Sequence, residues 1–138
     1  MSFTIYALLS DSSLKISNEM LSLEVENKFG RDKGFSWEFE ELPFEAEKTL
    51  ALRWDGWFVS VAYEEGDDVK NDSREIQKIL GDTAPIVVSN IFRRIRVLFS
   101  DDVQREHTNE IIRMMEFLSS IKGAVLYDVK KKEVIVLQ

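Results

Sequence analysis

The chain has no cysteine among its 138 residues, and it has only two prolines and one histidine. Without cysteine it can form no disulfide, no thiolate metal site and no cysteine nucleophile. It also has no apolar run near the ~18 residues that a membrane-spanning helix needs, and its first residues lack the features of a signal peptide. We therefore expect a cytoplasmic protein without membrane contact, folded as a single globular domain over residues 1–138.

Basic residues are scarce in the first half of the chain, and the net charge is −7. Residues 1–66 hold 13 acids and 6 bases, whereas residues 67–138 hold 12 of each. Between Glu38 and Asp68, 10 acids accompany two bases, Lys48 and Arg53. A surface of that sign repels nucleic acid and attracts basic partners, although acidic surfaces also keep small proteins in solution. Both interpretations are open at this point.

Residues 49–64 predict a β-hairpin, because Asp55-Gly56 suits the two central positions of a type I′ turn, which both need φ > 0. A slip of one residue in this register would turn the apolar side chains to water. On the apolar face the predicted pairs are Trp54–Trp57, Leu52–Val59 and Leu50–Val61, and on the other face they are Arg53–Phe58, Ala51–Ser60 and Thr49–Ala62.

Hydrophobic periodicity and turn residues predict the other elements. Strands are expected at 3–9, 34–40, 94–99, 124–127 and 133–137, and helices at 18–29, at 109–122, and from a capping box at Asp72-x-x-Glu75 to Leu80. The helix at 109–122 is apolar over most of its circumference, which favours a deep position between the sheet and a neighbouring helix.

The resulting order, β-α-β-β-β-α-β-α-β-β, indicates an α+β fold. Strands joined by tight turns favour an antiparallel or mixed sheet, with helices packed mainly on one face. The opposite face should be small and polar across the hairpin strands. It should be acidic along the strand at 34–40, where Glu38 and Glu40 point outward.

The residues predict no catalytic set, no metal site and no cofactor, so we do not expect an enzyme. His107 is the one histidine, and zinc sites need three or four ligands. If a helix starts near Asp102, the spacing of His107 from Val103 and Ile111 makes it a structural residue on a helix flank. The paired carboxylates fit turns and helix N-termini. No glycine-rich phosphate loop and no Ser-His-acid set is present.

A resemblance covers most of the chain, and its segments are FTIYALLS, ALRWDGWFVSVAYEEGDDV, SREI, RRIRVLFSDD and TNEIIRMMEFLSSIKGAVLYD. Together they resemble a bacterial immunity protein of the contact-dependent growth inhibition type, which belongs to polymorphic toxin systems. The resemblance implies a small, cytosolic, non-enzymatic protein that binds a cognate toxin domain and blocks it. Many such toxins are nucleases, so it also implies a basic nuclease as partner. In this class the residues that contact the toxin differ from one toxin partner to the next. The resemblance therefore identifies no contact residue in this chain.

The acidic segment is the expected binding surface for this partner. A nuclease active site is a basic groove, which an acidic protein surface can cover. The predicted partner-binding residues are Glu38, Glu40, Glu41, Glu45, Glu47, Glu64, Glu65, Asp67 and Asp68.

Two other classes of function are open. One is a small ligand-binding or enzymatic α+β domain with a pocket on the open sheet face, where Ser60, Thr49 and Arg53 offer few converging polar groups. The other is a subunit of a larger assembly. Turnover of a small substrate would favour the enzyme, whereas recovery of one stoichiometric basic protein in a pull-down would favour the inhibitor.

Overall fold

A computed structural model describes residues 2–41 and 49–136. Within these ranges the order of helices and strands is the one predicted from the sequence, with a short 3-10 turn at Gly81–Thr83 in addition. The elements are β1 (Phe3–Leu9), α1 (Asn18–Phe29), β2 (Phe35–Glu40), β3 (Thr49–Trp54), β4 (Trp57–Glu65), α2 (Asp67–Leu80), β5 (Arg93–Phe99), α3 (Thr108–Ser119), β6 (Ala124–Asp128) and β7 (Glu133–Val134).

The strands form one seven-stranded sheet in the order β2-β3-β4-β5-β1-β6-β7. Every neighbouring pair is antiparallel. The α+β class and the antiparallel sheet are therefore confirmed. Because β1 lies between β5 and β6, the first strand of the chain joins the hairpin strands to the C-terminal strands.

The β3–β4 hairpin has the predicted turn and register. Asp55 and Gly56 have φ values of 40° and 88°, the positive values that a type I′ turn requires. Trp54 pairs with Trp57, and the pairs beyond them follow the prediction as far as Leu50 with Val61. This register assigns each side chain of β3 and β4 to one face of the sheet.

The main core lies between α1, α3 and one face of the sheet. Helix α1 has the predicted bounds, and the Ser17 hydroxyl caps it by accepting a hydrogen bond from the Met20 N–H at 3.2 Å. The buried residues that these two helices contribute are Leu21, Val25, Phe29, Met114 and Leu118. They pack on alternate residues of the strands, among them Ile5, Leu52, Val61 and Val97.

Helix α3 lies nearer the surface than its sequence predicted. Met114 and Leu118 are buried, but Ile112 on the same helix is 47% exposed. Ile111, Met115 and Phe117 pack against the core but are only partly buried, so the helix covers the sheet as an outer layer. The predicted deep position between sheet and helix was wrong.

Helix α2 begins at Asp67, ahead of the capping box that predicted its start, so the predicted N-terminus was wrong. Gly66 precedes the helix with φ 117°, a value that disfavours residues with a side chain. Asp67 and Asp68 occupy the first turn, where negative charge complements the helix dipole. Asp72 lies inside the helix, and its carboxylate accepts a hydrogen bond from Arg94 at 2.7 Å.

Helix α2 packs on the sheet face opposite α1 and α3. Ile76 and Leu80 form a second buried cluster with Leu8, Val88 and Val125. Two of the three described helices thus share one face of the sheet, as predicted, and the third covers part of the other face.

Trp57 should contribute strongly to stability. Its side chain is 5% exposed, its ring centroid lies 4.3 Å from that of His107 and 5.5 Å from that of Trp54, and its Nε1–H donates to the Ser100 carbonyl. We expect Trp57→Ala to lower the free energy of unfolding by ~3–5 kcal/mol, measured by urea denaturation. Phe58→Ala is the control, because Phe58 is adjacent, 45% exposed and on the opposite face. Its loss should be under ~1 kcal/mol, and equal losses would contradict the assignment of faces.

The stability of the protein should fall at alkaline pH because of Tyr63. Burial is the largest of the causes that raise the pKa of Tyr63 to about 12. The hydrogen bond to Glu65 and the negative charge of Glu65 also raise this pKa. A tyrosine in the unfolded chain has a pKa of about 10. The unfolded state therefore loses this proton first, so the contribution is complete below pH ~10 and is lost as the pH rises towards 12. We expect Tyr63→Phe to flatten the decline of the thermal midpoint between pH ~10 and ~12. An unchanged decline would contradict this assignment.

Candidate partner-binding face

The sheet face opposite α1 and α3 is called the outer face. Strand alternation places one residue from each of five strands in a row across it: Glu38, Ala51, Ser60, Leu98 and Thr4. Helix α2 covers this face over β1 and β6. Among the described helices none covers it over β2, β3, the first half of β4 and the end of β5 that pairs with it (Val97–Phe99), and this region is called the open half.

Arg94 lies at the boundary between the covered part of the outer face and the open half. Its side chain is 8% exposed, and it donates hydrogen bonds to Glu64 at 2.8 Å and to Asp72 at 2.7 Å. The guanidinium carbon also lies 4.0 Å from the centroid of the Tyr6 ring. Burial acts to lower the pKa of Arg94, but the hydrogen bonds to Asp72 and Glu64 outweigh it and raise that pKa above its ordinary value. These contacts join α2 to β1, β4 and β5.

Glu38 and Glu40 lie at the rim of the open half, as predicted. Their side chains are 64% and 40% exposed, and Arg53 from β3 lies between them. Arg53 Nη2 is 3.2 Å from Glu40 Oε1 and 3.6 Å from Glu38 Oε1. Exposed ion pairs of this kind contribute only ~0–1 kcal/mol, so the contact can open at low cost. The two acids are therefore accessible but partly neutralised within the chain.

The other predicted acids of the sheet do not all share this surface. Glu64 is on the outer face, where Arg94 holds it. Glu65, the next residue, points to the opposite face, and its carboxylate accepts a hydrogen bond from the Tyr63 hydroxyl at 2.8 Å. The structure thus separates Glu65 from Glu38 and Glu40 by the thickness of the sheet.

The remaining predicted partner-binding residues that the structure describes lie outside the strands of the sheet. Asp67 and Asp68 belong to the first turn of α2. Glu41 is exposed and follows the last residue of β2. Glu45 and Glu47 lie outside the described residues.

Two exposed apolar side chains on the open half were not predicted as binding residues. Phe58 is 45% exposed and Leu98 is 37% exposed, on the adjacent strands β4 and β5. Exposed apolar groups within a polar rim are typical of protein interaction surfaces. The hairpin register had already placed Phe58 outward, so an outward-facing aromatic in a half-buried strand was the available signal.

A depression of 260 Å³ lies beside these side chains. Short residues at its centre, namely Thr49, Ser60 and Ala62, lie between the longer Glu40 and Arg96. Its full lining is Thr4, Glu40, Thr49, Ser60, Ala62, Arg96 and Leu98. The expected small and polar character of this face is therefore present in the described residues.

His107 has a structural setting, but not the predicted one. Helix α3 begins at Thr108, one residue from the predicted start at 109, so the alternative start near Asp102 does not occur and His107 immediately precedes the helix. The His107 backbone N–H donates to Asp102 Oδ2 at 3.0 Å, and the ring stacks on Trp57. In the described ranges, no group of three or more histidine and acidic residues is placed to hold a metal ion.

No helix within residues 2–41 and 49–136 has both the length and the apolar character needed to cross a membrane. Comparisons with protein-family models, with curated proteins and with solved structures found no match. The geometry of the outer face is therefore the main structural support for a function.

Arg94 should be needed to hold α2 on the sheet. Arg94→Leu leaves the carboxylates of Glu64 and Asp72 without their cation, and we expect a loss of ~2–4 kcal/mol in the free energy of unfolding. This is less than for a fully buried pair, because Asp72 is 50% exposed. Arg74→Leu on the exposed side of α2 is the control and should change stability by under ~0.5 kcal/mol. Similar losses in both variants would show that Arg94 has no special role.

Proposed function

We propose that this protein is a cytoplasmic immunity protein that binds a cognate toxin domain, a basic nuclease, and neutralises it stoichiometrically. The observation that carries the proposal is the open half, where Phe58 and Leu98 are exposed beside the acidic pair Glu38 and Glu40. The resemblance of most of the chain to immunity proteins of contact-dependent growth inhibition is the reason for naming a toxin as the partner.

The charges of the chain favour a basic partner. The net charge of −7 attracts a positively charged protein over several ångströms in low salt, which raises the rate of encounter. At short range, a lysine or arginine of the partner can take the place of Arg53 beside Glu38 and Glu40. Glu38 and Glu40 are then paired with a cation both before and after binding. Binding therefore does not bury an unpaired carboxylate, whose desolvation would reduce the affinity.

The apolar side chains supply the part of the binding energy that charge does not. Phe58 and Leu98 lie on the paired strands β4 and β5, so their backbones are already ordered before a partner covers them. Aromatic anchors surrounded by polar groups carry most of the binding energy in many interfaces. An inhibitor of this kind acts by covering the groove of its target, and that action needs no chemistry of its own.

The depression of 260 Å³ favours a second candidate function, the binding of a small ligand. Its polar lining exceeds what the sequence suggested, because Arg96 and Thr4 join Thr49 and Ser60 there. A ligand site and a protein-binding face can coexist on the same half of the sheet.

Reversal of the acidic pair should weaken binding of the toxin domain. With the basic protein recovered by pull-down as ligand, we expect the double variant Glu38→Lys/Glu40→Lys to bind at least tenfold more weakly, which is ~1.4 kcal/mol. The loss should lie mainly in the association rate at low salt and should shrink as salt is raised. The measurement is association and dissociation kinetics at two salt concentrations, with circular dichroism to confirm folding.

The control changes the net charge equally on the other side of the molecule. Glu24→Lys/Glu116→Lys alters exposed residues of α1 and α3 and should leave the affinity nearly unchanged. Arg53→Gln should have the opposite effect to the acidic reversal and speed association, because it frees both acids. Equal weakening by both double variants, or no dependence on salt, would refute the assignment of the partner to this rim.

A further inference from the structure

We propose that the depression on the outer face is a binding site for a carboxylate, with Arg96 as the group that recognises it. The depression lies at the middle of the sheet, and β1, β2, β3, β4 and β5 each contribute to its lining. Residues on paired strands hold one another in place, so the positions of its polar groups are set by the sheet rather than by a loop.

Arg96 has hydrogen-bond donors that the protein does not use. The neighbouring carboxylate of Glu64 is bound by Arg94 at 2.8 Å, and Arg96 Nη2 is 3.6 Å from its other oxygen. That separation is too long for a hydrogen bond. The guanidinium of Arg96 therefore makes no hydrogen bond to any residue in the described ranges, although its side chain is only 33% exposed.

Three hydroxyl groups around Arg96 also have no hydrogen-bond partner among the described residues. The side chains of Thr4, Thr49 and Ser60 line the depression, and none of them hydrogen-bonds to a residue that the structure describes. Each hydroxyl can donate one hydrogen bond and accept others. The depression thus gathers one cation and three hydroxyl donors, none of which makes a side-chain hydrogen bond to a described residue, although the carboxylate of Glu40 also lines it.

A carboxylate fits this arrangement better than other anions. The planar guanidinium offers two parallel N–H groups that match the two oxygens of a carboxylate. Glu40 lines the opposite part of the depression, and its charge disfavours a dianion such as phosphate. Glu40 can instead accept a hydrogen bond from an ammonium group of the same ligand, which would then carry one charge of each sign.

The expected ligand therefore presents a carboxylate to Arg96, and a ligand the size of a free amino acid would add an ammonium group for Glu40. The volume of 260 Å³ suits a ligand of that size. The carboxylate can come from a free amino acid or from an acidic side chain on the surface of a bound protein. The proposal does not rest on the toxin as partner, because the donors belong to the depression itself.

The test is titration of the ¹⁵N-labelled protein, followed by NMR, with four probes of stated chemistry. Glycine carries both charges, acetate only the carboxylate, ethylammonium only the cation, and acetyl-Ala-Glu-Ala-amide presents an acidic side chain on a peptide. We expect saturable shifts centred on Thr4, Thr49, Ser60 and Arg96. Glycine should bind at least tenfold more tightly than acetate or ethylammonium if the source is a free amino acid. Tighter binding of the peptide than of glycine would identify a protein side chain as the source.

Variants distinguish this site from weak general binding. Arg96→Gln should reduce the affinity for the preferred probe at least tenfold, whereas Arg74→Gln, an exposed arginine on α2, should not change it. Thr49→Val keeps the shape of the side chain and removes its hydroxyl, so it should weaken binding severalfold even if Arg96→Gln disturbs the fold. The proposal is overturned if no probe gives saturable shifts at about 50 mM, where a site with a dissociation constant of ~1 mM would be filled. Equal effects of Arg96→Gln and Arg74→Gln would overturn it as well.

Discussion

The buried guanidinium of Arg94 determines how the outer face of the sheet is used. It contacts Glu64 on β4, Asp72 on α2 and the ring of Tyr6 on β1, and so fixes the helix over one part of the face. A buried charge is costly unless other groups pair with it, and the partners of Arg94 include Asp72 of α2. This contact helps to hold α2 over β1 and β6. The open half is the part of this face that α2, in the position shared by this contact and the apolar cluster around Ile76 and Leu80, does not cover. The same contact engages Glu64 and leaves the neighbouring Arg96 without a close acceptor.

The elements predicted most accurately depend on local chemistry. The Asp55-Gly56 turn sets the hairpin register through its backbone angles, and the alternation of side chains then assigns both faces. Helix α1 has a hydroxyl cap at Ser17 and an apolar stripe through Phe29, so both of its bounds follow from nearby residues. Such features can be predicted from nearby residues alone, without information on distant parts of the chain.

The errors arise where distant residues compete with a local pattern. The sequence pattern around Asp72 is that of a helix cap, but its carboxylate accepts a hydrogen bond from Arg94, which lies on strand β5. The apolar circumference of α3 predicted deep burial, yet the sheet offers it one surface, and residues such as Ile112 stay exposed. For the candidate site, the outward positions of Glu38 and Glu40 followed from strand alternation. Their pairing with Arg53 depends on side-chain geometry that alternation does not specify.

Charge counts along the sequence therefore overstate the negative character of the outer face. Arg53 lies between Glu38 and Glu40, and Arg94 holds Glu64, so several acids of this face already have a cation nearby. The net charge still acts at long range, where individual pairs are not resolved and the total governs encounter. At contact distance, selectivity depends instead on groups that the fold leaves available, namely the apolar Phe58 and Leu98 and the donors around Arg96. On the proposed function, a partner or ligand of this face would therefore be selected by shape and hydrogen bonding after charge has brought it near.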